Sequence, residues 1–185
     1  MKFFTGEWFA DNAIMTSFLD DVKFYSGTER KKILKVSPLV GGSMLYGTTW
    51  RSYLSPGKTR TQSPWKNLYY TKVVDDYPYL TDVFNEFKNI YFKNFNYDQV
   101  QMNKNYTIGK HRDKKNVGKS ILCCFGDYTG GLTCVDYGND IIKYDARREP
   151  ANFDGSKYEH WVEEFKGTRY SLVFFTNNKK NELIN

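Results

Sequence analysis

The sequence predicts an α+β fold, mainly β, in which a double-sheet jelly roll or barrel is buttressed by N-terminal helices. Two stretches of the first half repeat apolar residues at the helical period. After Asn94 the chain breaks into short β-forming runs separated by glycines. Turn-forming strings such as the one at 127–131 connect those runs, as expected for short antiparallel strands.

Two amphipathic helices are predicted in the first half. The first has Asp11 as its N-cap and presents Ile14, Phe18 and Val22 on one side. The second follows Asp76 and Pro78. Its apolar positions recur at spacings of three and four and are Leu80, Val83, Phe84, Phe87, Ile90 and Tyr91. Because each helix has one apolar face, we expect both to pack against a sheet.

Short strands are predicted in the second half. They span 97–103, 120–125, 132–137, 140–144 and 169–176. No repeat, low-complexity tract or Pro/Gly-rich linker divides the chain, so residues 1–185 are predicted to form a single domain. Within it, a helical or lid part covers 1–95 and the β core covers 96–178. A domain of this length can bury most of the surface that its unfolded chain exposes.

Charge and cysteine content limit the partner and the compartment. The net charge of +6 indicates an anionic partner, with nucleic acid as the leading candidate. Three cysteines, two of them adjacent at Cys123 and Cys124, argue against a disulfide framework and for a reducing compartment. Neither a signal peptide nor a membrane-length apolar run is recognisable. We therefore expect a soluble intracellular protein, cytoplasmic or nuclear, with no membrane partner.

The two histidines of the chain are candidate metal ligands. His111 and Asp113 stand at i and i+2, so in an extended segment they point to the same side and can meet one ion, with His160 as the third ligand. Two histidines and one carboxylate form the facial triad of non-haem iron(II), whereas zinc prefers a closed tetrahedron or one water. An isolated H-x-D triplet is a weak signal, since both histidines could be ordinary surface or core residues.

Arg169 and Ser171 form a candidate anion site further along the chain. They stand at i and i+2 in a strongly β-forming run and share one face. A guanidinium binds a carboxylate through two parallel hydrogen bonds, and the hydroxyl adds a third. Arg169 could instead be an exposed cation at a strand start, but that reading leaves its coincidence with His111 and His160 unexplained.

The ordered set H-x-D, distal histidine and R-x-S resembles the 2-oxoglutarate/Fe(II)-dependent dioxygenases. The run at 169–175 is similar to the corresponding strand of the TET/JBP branch, whose members oxidise the 5-methyl group of pyrimidines in DNA. Segments 103–105 and 126–131 and Asn116 also resemble that branch, and the similarity covers roughly residues 97–177. The resemblance implies a double-stranded β-helix, the jelly roll of this family. It also implies an enzyme that uses Fe(II), 2-oxoglutarate and O2.

The resemblance assigns roles to individual residues. The iron ligands and catalytic centre would be His111, Asp113 and His160, and the co-substrate would be bound by Arg169, Ser171 and Asn103. On the face that carries Arg169, Phe175 and Asn177 would meet a flipped base by stacking and hydrogen bonding. The TET pattern has histidine where this chain has Asn177, and Phe175 could equally be plain core. Asn116 either touches the substrate or shapes a turn.

Basic and aromatic residues interleave at 50–72, a mixture that can follow a phosphate backbone while rings stack on bases. Within it, Arg60 and its flanking threonines resemble the base-recognition lid of AlkB-type demethylases, so Arg60 is a candidate substrate contact. A second basic cluster surrounds the proposed iron and comprises Lys110, Arg112, Lys114, Lys115 and Lys119. Either cluster could be solvated surface alone.

The expected function is oxidation of 5-methylcytosine or thymine in nucleic acid to the 5-hydroxymethyl form, with decarboxylation of 2-oxoglutarate to succinate. One alternative is a hydroxylase of a protein side chain or small molecule, because the same fold serves these substrates. Others are an AlkB-like N-demethylase and, less favoured, a non-catalytic nucleic-acid-binding jelly roll. The complete set of triad, arginine and serine argues against the last.

Overall fold

The computed structural model describes residues 2–25, 41–52 and 66–177, without the side chains of 49–52 and 66–69. Within these ranges the chain is mainly β, with three helices and eleven strands. All strand pairs there are antiparallel. The predicted mainly-β class is therefore confirmed. No helix in the described ranges is long and apolar enough to span a membrane.

The helices are α1 (Trp8–Asp20), α2 (Lys72–Asp76) and α3 (Leu80–Tyr91). The strands are β1 (Gly42–Ser52), β2 (Lys66–Tyr70), β3 (Gln99–Lys104), β4 (Ser120–Phe125), β5 (Tyr128–Gly130), β6 (Thr133–Asp136), β7 (Ile141–Tyr144), β8 (Ala151–Phe153), β9 (Glu159–Val162), β10 (Phe165–Gly167) and β11 (Tyr170–Phe175).

A large six-stranded sheet has the order β2-β1-β3-β11-β4-β8. Its two faces have different tasks because side chains alternate along a strand. On one face Met102, Leu172 and Phe174 join the aromatic core against α1 and α3, where Phe84 meets Phe174 edge to face. The opposite face carries polar residues. The helices therefore buttress one side of the sheet and leave the other side free for a site.

A smaller three-stranded sheet, β7-β6-β9, packs on that other side. Strand β4 shows how the two layers connect, because all six of its residues are buried. Cys123 belongs to the helical core, whereas Leu122 and Cys124 pack with Val135 of β6 in a second cluster. Strand β4 of the large sheet thus separates the two cores, and the two sheets enclose a cavity beside the second core.

The first predicted helix is present, but its expected cap is wrong. Asp11 lies inside α1, where its carboxylate accepts hydrogen bonds from the backbone N–H groups of Thr5 and Gly6 and from the Tyr91 hydroxyl. The side chain therefore pins the preceding segment and α3 instead of capping its own helix. Val22, expected on the helical face, lies beyond the end of α1 and is buried all the same.

The second helix and one strand match their predictions most closely. Helix α3 buries Leu80, Val83, Phe84 and Phe87 as expected, although Ile90 is exposed. Strand β4 coincides with the predicted 120–125. Strand β3 begins two residues later and ends one residue later than predicted, and β6, β7 and β11 are each one residue shorter at one or both ends. The part read as helical also contributes β1, which pairs with β3 along six positions. Strand β2 in the same part, and strands β5, β8, β9 and β10, were not anticipated either.

Candidate functional site

The cavity between the two sheets brings together every predicted metal and co-substrate residue. Its large-sheet wall includes Asn103 and Ser171, and Arg169 immediately before β11. Its other wall includes His160 on β9, while His111 and Asp113 enter from the loop between β3 and β4. Residues that are far apart in sequence therefore line one enclosure.

The two histidines and Asp113 converge on a single point. Their ligand atoms all lie within 4.8 Å of one another. Nε2 of His111 is 3.7 Å from Asp113 Oδ1, and Nε2 of His160 is 3.5 Å from Asp113 Oδ2. Two atoms that each lie about 2.1 Å from one ion are at most about 4.2 Å apart, so both pairs are close enough to share a metal.

Backbone hydrogen bonds hold the ligand-bearing segments in place. His111 and His160 form an isolated antiparallel bridge, each N–H donating to the carbonyl of the other at 3.1 and 2.9 Å. The Asp113 N–H donates to the Gly155 carbonyl at 2.8 Å. The loop after β3 is thereby fixed to β9 and to the turn that precedes it.

The far side of each imidazole determines which nitrogen faces the cluster. Nδ1 of His111 lies 2.8 Å from the Gly109 carbonyl, and Nδ1 of His160 lies 3.1 Å from the Tyr158 carbonyl. A carbonyl only accepts, so each Nδ1 carries the proton and each Nε2 presents a lone pair toward Asp113. Metal-binding histidines are oriented in this way, and the three residues therefore fit a divalent ion.

Gly155 is a supporting residue that the sequence did not reveal. A Cβ at this position would lie 3.1 Å from His160 Cε1 and 3.4 Å from Asp113 Oδ2. Phe153 meets the His160 ring edge to face at 5.1 Å between centroids. The glycine thus gives the ligands room, and the phenylalanine supports one imidazole from the side.

Arg169 is a buried cation with no counter-ion among the residues that the structure describes. It is 2% exposed, and among the described residues no carboxylate lies within 4.0 Å of its guanidinium. One terminal nitrogen donates to Cys124 Sγ at 3.1 Å, and the guanidinium carbon lies 5.6 Å from the ring of Tyr128 and 5.7 Å from that of Phe165. Its Nε has no partner.

The Cys124 thiol does not supply the missing negative charge. Burial raises its pKa above the ordinary value, although Arg169 and Tyr128 act in the opposite direction, so the thiol is neutral near pH 7. A buried charge is costly unless an anion compensates it. The cavity wall at Arg169 is therefore built to receive an anionic ligand.

A chain of hydrogen bonds orients the hydroxyl of Ser171. Gln101 Nε2 donates to Ser43 Oγ at 3.0 Å, and Ser43 Oγ in turn donates to Asn103 Oδ1 at 2.6 Å. The Asn103 amide then donates to Ser171 Oγ at 3.1 Å. Because Ser171 accepts in this contact, its own proton is free to donate to a ligand.

Two further hydroxyls, missed in the sequence, face the same cavity. Tyr106 and Thr133 are 3% and 2% exposed, and neither hydroxyl has a hydrogen-bond partner within the described ranges. In the described part of the chain four buried polar side-chain atoms lack partners, and three of them, those of Tyr106, Thr133 and Arg169, belong to this cavity. Buried polar groups are normally paired, so these atoms indicate a polar ligand.

The predicted substrate residues are placed unequally. Phe175 lines the cavity together with Ser171 and Val173, as alternation along β11 predicts. Asn116 also lines it, with Nδ2 at 3.5 Å from Asp113 Oδ2. Asn177 lies outside the lining, and its amide donates to Gln99 at 3.3 Å. Arg60 lies outside the described residues, as does most of the basic stretch around it.

No protein-family model matches the chain, and no curated protein matches it. Similar solved structures include NgTET1 in complex with 5mC DNA, at 18% identity and a TM-score of 0.45 over 71% of this chain and 61% of that one. A Pseudomonas putida prolyl-4-hydroxylase is 15% identical, with a TM-score of 0.48 over 95% and 89%. A 2OG-Fe(II) oxygenase family oxidoreductase from Burkholderia pseudomallei is 14% identical, with a TM-score of 0.42 over 81% and 80%. Likenesses this distant identify no function, which has to be argued from the site.

Proposed function

We propose that this protein is an Fe(II)/2-oxoglutarate-dependent dioxygenase. The observation that carries the proposal is that one cavity holds both a two-histidine, one-aspartate cluster and a buried arginine without a counter-ion. A facial triad leaves coordination positions open for a bidentate ligand and O2. 2-Oxoglutarate has a chelating 2-oxo acid at one end and a carboxylate at the other, so a single molecule matches both features.

The expected fold of such an enzyme is also supported. The large and small antiparallel sheets face each other across the cavity, which supports the proposal of a double-stranded β-helix. Because β4 contributes to both cores, we treat residues 1–185 as a single domain.

The chain's own residues would bind the iron and the co-substrate and orient them within the cavity. His111, Asp113 and His160 would hold the iron on one side, because their Nδ1 and backbone contacts leave the ligand atoms facing one another. Arg169 and Ser171 would hold the distal carboxylate of the co-substrate, with Asn103 setting the direction of the Ser171 hydroxyl. When bound, iron would supply activation of O2 for oxidation of a C–H bond, coupled to decarboxylation of 2-oxoglutarate to succinate.

Tyr106 and Thr133 extend the proposed co-substrate site. Both hydroxyls are buried in the cavity that holds the arginine and have no protein partner. An anion or its bound water would satisfy them, which removes the cost of leaving two buried hydroxyls unpaired.

The proposed substrate is a pyrimidine base in nucleic acid, with DNA favoured, oxidised at its 5-methyl group. Phe175 supports this choice because its ring lines the cavity and can stack on a base. Asn116 offers an amide next to Asp113 for a base edge. The net charge of +6 favours an anionic polymer over a neutral metabolite. A hydroxylase of a protein side chain or small molecule, or an AlkB-like N-demethylase, remains the alternative.

Nucleoside mass spectrometry tests this proposal. DNA containing 5-methylcytosine and thymine is incubated with the protein, Fe(II), ascorbate and 2-oxoglutarate, with the Asp113→Ala variant as the matched control. We expect 5-hydroxymethyl nucleosides with the wild type alone. If the bases stay unmodified while a peptide or metabolite is oxidised in the same assay, the nucleic-acid substrate is contradicted and the alternative substrates are favoured.

A further inference from the structure

We infer that four exposed lysines at the mouth of the cavity bind the phosphates of a nucleic-acid strand on either side of the nucleotide that enters the site. We call them the lysine collar, and they are Lys114, Lys115, Lys119 and Lys157. The inference rests on the proposed function, since it names the surface that would present a strand to the metal cluster.

Two turns bring the lysine collar to the metal ligands. The first turn closes through a hydrogen bond from the Asn116 N–H to the Asp113 carbonyl at 2.9 Å and contains the first two collar lysines. The second turn is held by Asp154, whose Oδ1 accepts from the Ser156 N–H and Oγ, and it contains the fourth. The 2.8 Å bond from the Asp113 N–H to Gly155 joins the two turns.

The third collar lysine approaches from the start of β4. Lys119 directly precedes Ser120, which lines the cavity and accepts a hydrogen bond from the Asn116 amide at 3.4 Å. Three of the lysines therefore adjoin a residue of the cavity or of the metal cluster, and the turn of the fourth is hydrogen-bonded to Asp113 through the Gly155 carbonyl. Their positions are fixed by the same backbone contacts that fix the ligands.

The collar lysines have no acidic partner in the described part of the chain, in contrast to three lysines that are neutralised by a carboxylate. Lys72, Lys110 and Lys143 each hold a carboxylate, at 2.6, 2.8 and 2.6 Å. Across the described ranges, no carboxylate lies within 4.0 Å of a collar amino group. The fourth, Lys157, lies 5.1 Å from the centre of the Tyr158 ring, which leaves its charge uncompensated. Four unneutralised cations on one rim attract a polyanion.

An apolar contact beside the collar favours nucleic acid over an acidic peptide. Val117 stands between collar lysines and is 41% exposed, although it is apolar. Its N–H donates to the Thr176 carbonyl at 2.8 Å, which places it next to the end of β11, where Phe175 lines the cavity. Cations next to an apolar and aromatic surface are the combination that binds phosphates and stacks bases along a strand.

The salt dependence of oligonucleotide binding tests the lysine collar. A fluorescent single-stranded oligonucleotide is titrated with the protein at several NaCl concentrations, and anisotropy gives Kd. Each phosphate contact contributes a slope of about 0.7 in log Kd against log salt for a single strand, so four contacts give about 2.8. The Lys114→Gln/Lys115→Gln double variant should lower the slope by about 1.4 and weaken binding at every salt concentration.

The control is Lys2→Gln/Lys93→Gln, which removes the same charge from exposed sites outside the cavity lining. We expect this control to keep the wild-type slope. Equal slopes for the two double variants would overturn the inference, and so would poly-glutamate displacing the oligonucleotide as effectively as unlabelled strand of equal charge. The assay contains no iron or 2-oxoglutarate, so a wild type that binds through the collar but fails to consume 2-oxoglutarate would contradict only the proposed function.

Discussion

Replacing Arg169 by leucine should separate co-substrate binding from folding. The guanidinium is 2% exposed and has no carboxylate partner in the described structure, so an anionic ligand would be needed to neutralise its charge. In the Arg169→Leu variant the distal carboxylate of 2-oxoglutarate would enter the same pocket without a cation. We therefore expect a large loss of affinity with little loss of stability.

The two magnitudes follow from the contacts of Arg169. Leaving one member of a buried charge pair alone costs about 2–5 kcal/mol, which raises Kd for 2-oxoglutarate by a factor of about 30 to several thousand. In the ligand-free protein, leucine loses two ring contacts with Tyr128 and Phe165, worth up to about 2 kcal/mol each because the guanidinium is desolvated. Removal of an uncompensated buried charge offsets that loss, so the free energy of unfolding should change by about 1 kcal/mol or less.

Isothermal titration with 2-oxoglutarate, with Mn²⁺ in place of iron to prevent turnover, gives the affinity, and thermal unfolding gives the stability. Arg147→Leu is the matched control. The Arg147 guanidinium also lies over the Tyr128 ring, at 4.9 Å, but this residue lies outside the cavity lining. We expect its affinity to equal that of the wild type. A Kd within threefold of wild type for Arg169→Leu would refute the reasoning, as would equal losses in the two variants.

Three other predictions concern supporting residues. Ser171→Ala removes a hydrogen-bond donor to a charged ligand, which is worth about 1.5–3 kcal/mol. We therefore expect Kd for 2-oxoglutarate to rise at least about tenfold in the same titration. An unchanged Kd would mean that the hydroxyl points elsewhere. Gly155→Ala places a methyl group 3.1 Å from His160 Cε1. The affinity for Co²⁺, measured by its absorption spectrum, should therefore fall by about 10- to 100-fold. Wild-type affinity would show that the proposed ligands tolerate the methyl group. Burial raises the pKa of Asp11, but hydrogen bonds from Tyr91, Thr5 and Gly6 outweigh it and hold the pKa below the ordinary 3.8. Its stabilisation is therefore complete above about pH 5 and is lost as pH falls through the unfolded and then the lowered folded pKa. Thermal unfolding of Asp11→Asn should therefore have a flatter acid limb than that of the wild type, and parallel limbs would contradict this.

The proposed metal and co-substrate residues could be nominated from the sequence because each signal is local. His111 and Asp113 lie two residues apart, and so do Arg169 and Ser171, and alternation along an extended chain predicts a shared direction for each pair. The structure places both pairs and His160 in one cavity. The scarcity of histidine made the third ligand easy to nominate.

The remaining site residues depend on contacts between distant segments. Tyr106, Thr133 and Gly155 carry no local pattern, and their roles appear when β6, β9 and the loop after β3 come together. Strand β9 was not anticipated because it is stabilised by pairing with β6 and by the bridge between His160 and His111. In short strands such pairing outweighs the intrinsic preference of the residues, which is all that a sequence pattern shows. The expected cap at Asp11 failed for the same reason, since its partners lie outside the helix.

The polar side chains by which the large sheet faces the cavity could be explained only once the pairing of its strands was known. Asn103 was assigned to the co-substrate site by resemblance, and the pairing of Ser171 with Asn103 across β11 and β3 shows how it can act through the hydroxyl. Ser43 and Gln101 complete that chain from β1 and β3. Because β1 lies in the part read as helical, sequence patterns gave no access to this support.

The most direct test of the central claim is the release of succinate from 2-oxoglutarate by the purified protein with and without Fe(II). We expect iron-dependent succinate formation by the wild type and by Asp140→Ala, an exposed aspartate outside the cavity lining, and none by Asp113→Ala or His160→Ala. Each variant is first checked for a wild-type unfolding transition. Succinate formation that persists in Asp113→Ala and His160→Ala, or that does not depend on iron in the wild type, would contradict the assignment of this cavity as an Fe(II)/2-oxoglutarate site.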